Sequence, residues 1–372
     1  MKKICLLLTF IISIHYMSFG QTSQEYLVSG ESKYKLGQYK ESIEEYTKAL
    51  EKNPNSSAIY YNRGLAKYSI GEYIGAIQDY TKSIDLNPKD GGTYYNRGLA
   101  KFYLGDYKGA LQDYNKAIEI DSKDYASYIN RGLAKSELGF KEAAIDDYNK
   151  AIELNPDDSK AFYNKALAEY GLGEKKEALQ DYTKAIELNP KDSKTYYNRG
   201  ILNIEMGEFN SALSDFTKAV QLNPNFPEAF ANKGRANDEL GDKSAAIKDY
   251  SEAIKLNPKM LEAFYNRAIA RTELADYKGA IEDYDNAITL NPNNADIYYN
   301  RGYVKYKIAD LESAIQDYSK AIELNSKFAE AYLNRGSAKY EIGYKEGAYA
   351  DWKKASGLGN KSAADLLKQV KK

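Results

Sequence analysis

The sequence repeats itself every 34 residues, which limits the chain to architectures that stack one small unit many times. A small residue marks the same place in every unit, and the copies follow without insertion or deletion at Gly30, Gly64, Gly98, Gly132, Ala166, Gly200, Gly234, Ala268, Gly302 and Gly336. With Ser23 counted as position 1 and the small residue at position 8, ten units run to Ser362. One such unit cannot bury its own apolar face, so neighbouring units must cover it.

Each unit has the pattern of two helices, called here the first and the second helix. The first stops at a small residue in position 15, such as Gly71 or Gly105, which is typical of a left-handed C-terminal cap. The second carries a stripe with a spacing of about 3.6 residues, as in Ala76, Tyr80 and Ile84. Because proline cannot continue a helix, the second helix is predicted to end before a proline in seven units, at Pro54, Pro88, Pro156, Pro190, Pro224, Pro258 and Pro292.

The small residue at position 8, alanine at 20, the aromatic at 24, alanine at 27 and proline at 32 resemble the tetratricopeptide repeat family over residues 23–362. Two departures recur, with Arg or Lys at position 7 and frequently Lys at position 11. The resemblance implies antiparallel helix pairs that stack into a right-handed superhelix with a concave groove. The predicted fold class is all-α, an α-α superhelix (solenoid) of about ten 34-residue helix-turn-helix units with a C-terminal capping helix.

The repeat register sets the predicted domain boundaries. Residues 1–20 are a signal peptide and residues 363–372 a capping helix, which Leu366, Leu367 and Val370 make apolar on one side. The ten units between them are residues 23–56, 57–90, 91–124, 125–158, 159–192, 193–226, 227–260, 261–294, 295–328 and 329–362.

The amino terminus has the pattern of a secretory signal. Lys2 and Lys3 precede an apolar run over residues 4–14, and small residues at Ser18 and Gly20 suit cleavage before Gln21. We therefore expect an exported protein, periplasmic or secreted after cleavage near Gly20. An uncleaved membrane anchor is the alternative, although the run is short for a bilayer span. No later stretch approaches that length, so no transmembrane segment is expected in the mature chain.

Composition excludes several kinds of chemistry. The one histidine, His15, and the one cysteine, Cys5, both lie in the predicted signal peptide. The mature chain then lacks residues for Ser-His-Asp or Cys-His catalysis, His/Cys zinc sites and disulfides. Carboxylates recur by unit instead of forming one singular cluster, and no glycine-rich phosphate loop is present. We expect no enzymatic activity, no metal and no cofactor.

Charge also bears on the choice of partner. Without Lys2 and Lys3 the chain has 50 basic and 53 acidic residues, a net charge of −3, and no basic block stands out. Nothing therefore supports nucleic-acid binding, which requires neutralisation of phosphates.

A cation at position 7 and an aspartate at position 23 recur in every unit after the first. Charges near a helix seam should be paired, so we favour structural ion pairs between the helices over anion capture by the arginines. The candidates are Arg63, Asp79, Arg97, Asp113, Arg131, Asp147, Arg199 and Asp215.

Asparagine occupies position 6 in the same nine units, although it is a mediocre helix former. Its amide can donate to and accept from an extended peptide backbone, and in some tetratricopeptide arrays an asparagine ladder at this place grips peptide. The alternative, an inter-repeat hydrogen bond, is equally weighted. The residues are Asn62, Asn96, Asn130, Asn164, Asn198, Asn232, Asn266, Asn300 and Asn334.

Positions 5, 9 and 12 share a face of the first helix that lines the groove in this family. Tyrosine at position 5 is the main candidate for ligand contact, in Tyr61, Tyr95, Tyr163, Tyr197, Tyr265 and Tyr299. Part of this strip must also be packing between helices. The seventh unit interrupts it with Ala231, Arg235, Asp238 and Glu239, which suggests two apolar groove segments that hold two ligand segments or two partners.

Together these patterns predict a non-catalytic protein–protein interaction scaffold that binds extended peptide segments or partner helices in the groove. The alternative is a carbohydrate- or cell-wall-binding protein of the cell envelope, because tyrosine faces and amides also suit sugars. The partner is a protein or peptide of unknown identity, and an exposed groove or end can also pair with a second copy.

Overall fold

The computed structural model describes residues 21–370, which form two compact parts, residues 21–172 and 173–370. The predicted signal peptide and its cleavage site at Gly20 lie outside the described residues, as do Lys371 and Lys372.

All regular structure among the described residues is helical. The first part contains α1 (Ser23–Lys35), α2 (Tyr39–Lys52), α3 (Ser57–Ser69), α4 (Tyr73–Leu86), α5 (Gly91–Tyr103), α6 (Tyr107–Ile120), α7 (Tyr125–Glu137), α8 (Lys141–Leu154) and α9 (Ser159–Leu172). The second part contains α10 (Lys175–Leu188), α11 (Ser193–Glu205), α12 (Phe209–Leu222), α13 (Pro227–Glu239), α14 (Lys243–Leu256), α15 (Leu261–Glu273), α16 (Tyr277–Leu290), α17 (Ala295–Lys307), α18 (Leu311–Leu324), α19 (Ala329–Glu341), α20 (Lys345–Gly357) and α21 (Lys361–Val370).

Every first helix begins at position 1 of a predicted unit and every second helix begins at position 17. Within each part, a second helix packs both on the first helix of its own unit and on that of the next unit, as α4 does on α3 and α5. The predicted all-α solenoid fold class is confirmed.

The turn between the two helices depends on a left-handed residue at position 15. Gly71 has φ of 81°, its N–H donates to the Tyr68 carbonyl, and the next N–H, from Glu72, reaches back to the Lys67 carbonyl. This pattern closes the last turn of α3. Alanine replaces glycine in two units, and Ala275 and Ala309 still adopt φ of 60° and 61°.

The second helices end as the Asn-Pro pattern predicts. Asn87 leaves the helical region, with φ of −140° and ψ of 83°, a conformation compatible with the following Pro88. Its side chain then accepts a hydrogen bond from the Lys89 N–H at 3.4 Å, which holds the turn into the next unit.

The core of most units is a ring at position 24 pressed against a glycine at position 8, which Ala166 and Ala268 replace in two units. Tyr114 is fully buried, and a Cβ added to Gly98 would lie 2.7 Å from its Cε1 atom. Glycine is therefore needed for this close approach between helix backbone and ring. Buried alanines such as Ala110 and Ala117 let the neighbouring helices come equally close.

The last helix covers the end of the array. Ala363 is buried against Trp352 and Ala355, and Leu366 and Leu367 pack beside it. The helix begins at Lys361, two residues before the predicted start at residue 363. The reason is Asn360, whose side-chain oxygen accepts from the Ala363 N–H at 3.0 Å and caps the first turn.

Candidate functional site: the face of the first helices

The predicted asparagines and tyrosines are hydrogen-bonded to one another. In five places the asparagine Nδ2 donates to the hydroxyl of the position 5 tyrosine in the preceding unit. These pairs, called here the Tyr–Asn ladder, are Asn96 with Tyr61 at 3.0 Å, Asn130 with Tyr95 at 3.1 Å, Asn232 with Tyr197 at 3.4 Å, Asn300 with Tyr265 at 2.8 Å and Asn334 with Tyr299 at 3.0 Å.

The same amide nitrogen also anchors the asparagine to its own helix. Nδ2 of Asn96 donates to the Gly92 carbonyl at 2.9 Å, and that of Asn130 donates to the Ala126 carbonyl at 2.9 Å. Both amide protons are thereby used. No other described residue donates to the Oδ1 atoms of these two side chains, so each presents an acceptor on the half-buried face.

Three predicted asparagines differ from this pattern. Asn62 donates to the Glu31 carboxylate at 3.4 Å. Asn164 and Asn266 follow units whose position 5 is Ile129 and Ala231, so no tyrosine hydroxyl is available to them. Asn198 also has a partner within the described residues, as does Tyr163.

The tyrosines of the ladder are half-buried and keep their protons at neutral pH. Burial raises the pKa of Tyr265, the nearby Asp296 carboxylate acts in the same direction, and the hydrogen bond from Asn300 opposes them. The rings also pack on the core, since the Tyr61 and Tyr80 centroids lie 6.0 Å apart. The strip therefore combines packing with a row of hydroxyl tips, as the sequence suggested.

Positions 9 and 12 add partly exposed apolar surface to this face. Leu167 and Tyr303, at position 9, each expose 37% of their surface. At position 12, Tyr68 contacts the rings of Tyr73 and Tyr103 edge-on, and those two rings stack at 5.5 Å. Tyr306 hydrogen-bonds to the Glu341 carboxylate, which raises the pKa of Tyr306 to about 12.

The charges at positions 7 and 23 form ion pairs between the two helices of a unit. Arg97 donates from Nε and Nη2 to the two oxygens of Asp113, at 2.9 and 2.7 Å, and Asp113 is buried. The Nη1 atom of Arg97 donates to the Thr81 hydroxyl of the preceding unit at 3.1 Å. The same Arg–Asp arrangement occurs in Arg63–Asp79, Arg131–Asp147, Arg199–Asp215, Arg267–Asp283, Arg301–Asp317 and Arg335–Asp351.

A third member of this network was missed in the sequence. Lys101, at position 11, lies 2.7 Å from the second oxygen of Asp113. The recurring lysine at position 11 was the available signal, because it faces position 7 one helical turn away. Each guanidinium in the Arg–Asp pairs is thus held by an aspartate and by a residue of the preceding unit, the arrangement expected of structural ion pairs.

The seventh unit lacks the ring at position 5 and is charged at position 9, where both neighbouring units carry isoleucine. Ala231 is buried and Arg235 is exposed. Lys243 lies 2.9 Å from Asp238 and 3.0 Å from Glu273 of the eighth unit, so this part of the face is an ion-pair cluster. The hypothesis that it separates two ligand segments stays a prediction.

Residues 21–370 contain neither a cluster of metal-binding side chains nor a helix of membrane-spanning length and hydropathy. No group of three or more His, Cys, Asp or Glu side chains there is arranged to hold a metal ion. None of the helices in that range is long and apolar enough to cross a membrane.

Comparison with known families matches most of the chain. A TPR repeat model matches residues 30–71, 270–308 and 310–343. Two tetratricopeptide repeat models match residues 57–90, 93–124, 159–192 and 193–226, and residues 125–158 and 227–260. Five of these matches span one whole predicted unit each. The comparison with proteins of curated function gave no match.

Solved structures of helical repeat proteins are similar to this chain. The C-terminal part of a TPR repeat-containing protein from Cytophaga hutchinsonii is 21% identical, with a TM-score of 0.55 over 64% of this chain and 98% of that one. A tetratricopeptide repeat protein from Parabacteroides merdae is 25% identical, with a TM-score of 0.47 over 66% and 97%. YrrB, described as a TPR protein with an unusual peptide-binding site, is 26% identical, with a TM-score of 0.44 over 50% and 97%.

Proposed function

The chain belongs to the tetratricopeptide repeat family, and from this premise we propose that the face of its first helices binds an extended peptide segment of another protein without catalysing a reaction on it. Its repeats are those of a protein-interaction scaffold. The binding face, the extended conformation of the peptide and the absence of catalysis are all part of what we propose.

The observation that carries the proposal is the remaining hydrogen-bonding capacity of the Tyr–Asn ladder. In Asn96 and Asn130 the amide protons are used within the protein while Oδ1 stays available. Asn300 and Asn334 donate to their tyrosines in the same way. An extended peptide presents backbone N–H groups at regular intervals, and a row of fixed acceptors flanked by half-buried rings suits such a segment.

Selection of random displayed peptides on the purified protein tests the proposal, followed by measurement of Kd for the selected peptides. We expect Asn300→Ala together with Asn334→Ala to weaken binding at least about tenfold, since each removes an acceptor from the face. Asn286→Ala is the matched control, because Asn286 lies mid-helix on a second helix and bonds only to the Glu282 carbonyl.

Circular dichroism of each variant shows whether the fold is retained. Peptides that bind the folded ladder variant as tightly as the wild type would overturn the proposal for this face. Failure to select any peptide, together with binding of cell-wall glycans to the ladder face, would favour the carbohydrate alternative.

The proposal extends to the place where the protein acts. The basic start, the apolar run over residues 4–14 and the small residues Ser18 and Gly20 support export followed by cleavage. Amino-terminal sequencing of the protein recovered outside the cytoplasm is expected to begin at Gln21. Recovery of the intact chain, starting at Met1, in the membrane fraction would indicate the uncleaved anchor.

A further inference from the structure

Position 2 of the first helix divides the array into two chemical halves. In the last four units it is always acidic, in Glu228, Glu262, Asp296 and Glu330. In the six earlier units it is never acidic, in Gln24, Ala58, Gly92, Ala126, Lys160 and Lys194. The four acidic residues are called here the acidic row, and all of them lie in the second compact part.

The acidic row is exposed and unpaired. All four side chains are exposed, and none forms an ion pair or accepts a side-chain hydrogen bond from another described residue. This sets them apart from most of the charges nearby, since Asp317 and Asp351 are buried and bound by two cations each. The four carboxylates are therefore accessible to a partner from outside the described residues.

The earlier units use an acid at the helix start differently. In the third to sixth units the residue just before the first helix is an aspartate that caps it, as Asp90 does by accepting from the Gly92 N–H at 3.1 Å, whereas Thr22 and Ser56 stand there in the first two units. In the last four units this place holds Phe226, Met260, Asn294 and Phe328, of which only Asn294 caps its helix with a side chain. Three of these four units therefore lack a side-chain capping hydrogen bond, and each carries an unpaired carboxylate two residues after the cap position.

The residues that replace the caps extend the Tyr–Asn ladder with apolar surface. The rings of Phe226 and Tyr197 lie 4.7 Å apart, and those of Phe328 and Tyr299 lie 4.8 Å apart. Each of these tyrosines also has a row carboxylate near its hydroxyl, Glu228 for Tyr197 and Glu330 for Tyr299, and that charge helps burial to raise the tyrosine pKa.

One cavity has both apolar walls and carboxylates of the acidic row. Leu261, Tyr265 and Ile297 form apolar walls of a space of about 380 Å³, and Glu262 and Asp296 contribute carboxylates to the same lining. A lysine or arginine side chain matches this arrangement, because its aliphatic stem can lie on apolar surface while its cationic end meets a carboxylate. The opposite charge and the apolar walls favour this occupant over an acidic or purely apolar segment.

We infer that the ladder face between Phe226 and Glu330 docks an extended peptide carrying lysine or arginine residues at the spacing of the units. The inference rests on the proposed function and specifies its partner. Consecutive first helices such as α13 and α15 contact each other, so equivalent positions of neighbouring units are expected to repeat at the helix-packing distance of about 8–10 Å. An extended chain in the polyproline II conformation covers about that distance in three residues and returns to the same face every third residue, so one basic residue in three is expected to face the row.

Placement near a helix start gives these carboxylates another effect, because an acid there interacts favourably with the helix dipole. That effect would stabilise the helix without recognising a partner. Glu312 and Glu346 provide the control, since both are exposed, lie in the first turn of the second helices α18 and α20, and form no ion pair with a described residue.

The test uses a fluorescent peptide of about twelve residues with lysine at every third place and small polar residues between, long enough to span four units. A second peptide carries acetyl-lysine at the same places and is therefore uncharged there. Fluorescence anisotropy gives Kd for the wild type, for the variant Glu228→Gln/Glu262→Gln/Asp296→Asn/Glu330→Gln, and for the control Glu312→Gln/Glu346→Gln.

The lysine peptide is expected to bind the wild type and the control equally and the row variant at least about tenfold more weakly, with affinity falling as salt increases. The acetylated peptide should bind wild type about as weakly as the lysine peptide binds the row variant. Equal binding of both peptides would overturn the charge inference and leave the proposed peptide face intact. If neither peptide binds and random selection also finds none, the proposed function fails together with it.

Discussion

The Arg97 guanidinium binds both oxygens of the Asp113 carboxylate, with Nε 2.9 Å from Oδ2 and Nη2 2.7 Å from Oδ1. The pair joins the two helices of one unit, α5 and α6. Because Arg97 also reaches Thr81 and Lys101 also binds Asp113, the carboxylate is the centre of a network that includes the preceding unit. This network recurs along the array and joins the helix pair of one unit to that of the preceding unit.

Removal of the central carboxylate should therefore be strongly destabilising. In Asp113→Ala the two cations remain in a largely buried site without their partner, and we expect a loss of about 3–5 kcal/mol in the free energy of unfolding. Urea unfolding followed by circular dichroism measures it. Glu119→Ala, which breaks the exposed pair with Lys116, should leave the unfolding midpoint unchanged, and a similar loss in both variants would contradict the prediction.

The Tyr–Asn ladder should contribute to stability only where a tyrosine is present. Asn300→Ala removes the 2.8 Å hydrogen bond to Tyr265 and is expected to cost about 0.5–1.5 kcal/mol. Asn266→Ala should cost less, because Ala231 stands where the tyrosine would be. Urea unfolding of the two variants gives the comparison. Equal losses would mean that the hydrogen bond between units does not contribute.

The period of the sequence was enough to place the helices. Glycine at position 8 and the ring at position 24 lie in a fixed register, and their contact requires the two helices of a unit to start where they do. Local chemistry outside the repeat was harder to predict, as the start of α21 shows. Asn360 follows the last unit, and its capping hydrogen bond depends on backbone geometry that a repeat register does not contain.

For the candidate site, the repeat register placed the tyrosines and asparagines on the first helices without naming the partner of each asparagine. Tyr265 and Asn300 are 35 residues apart, so they come together only when one unit is stacked on the next. The sequence patterns treated the tyrosines and the asparagines as two separate strips. Lys101 and Asp113 were likewise separated by a turn whose geometry decides that they meet. The partners of Asn300 and Lys101 could not be assigned because they depend on the packing angle between helices, which residue spacing does not fix.

Some tyrosines at position 24 bury a hydroxyl group as well as a ring. Tyr114 Oη is buried and has no hydrogen-bond partner among the described residues, and the same holds for Tyr80 and Tyr318. Tyr114→Phe should therefore be neutral or slightly stabilising. Phe216 already fills this place in the sixth unit, so the ring is expected to fit. Urea unfolding measures the change, and a loss of more than about 1 kcal/mol in the free energy of unfolding would contradict the prediction.

Stability is expected to fall steeply at alkaline pH. Burial raises the pKa of Tyr148, Tyr250 and Tyr284 above their unfolded value of about 10. The unfolded chain therefore loses these protons at lower pH than the folded chain does. The contribution of each ring is fully present below about pH 10 and declines by up to about 1.4 kcal/mol per pH unit as the pH rises towards the folded pKa.

Ultraviolet absorbance of tyrosinate, recorded beside circular dichroism, tests this pH dependence. The buried rings should ionise together with unfolding, in the same pH range in which the helical signal is lost. Ionisation of all 36 tyrosines in a fully helical protein would show that the rings are not protected.

Two alanines occupy a backbone conformation that glycine adopts more easily. Ala275 and Ala309 end the helices α15 and α17 with φ of 60° and 61°, where their Cβ atoms cost about 1–2 kcal/mol each. Glycine fills this place with positive φ in the other eight units, for example Gly343 with φ of 86°. Part of the gain on replacement is offset by the greater freedom of glycine in the unfolded chain. We therefore expect Ala275→Gly and Ala309→Gly each to raise the free energy of unfolding by about 0.5–1 kcal/mol. Ala280→Gly, inside α16 and fully buried, should lower the free energy of unfolding. Urea unfolding midpoints of the three variants give the comparison. Loss of stability in Ala275→Gly and Ala309→Gly as well would contradict the prediction.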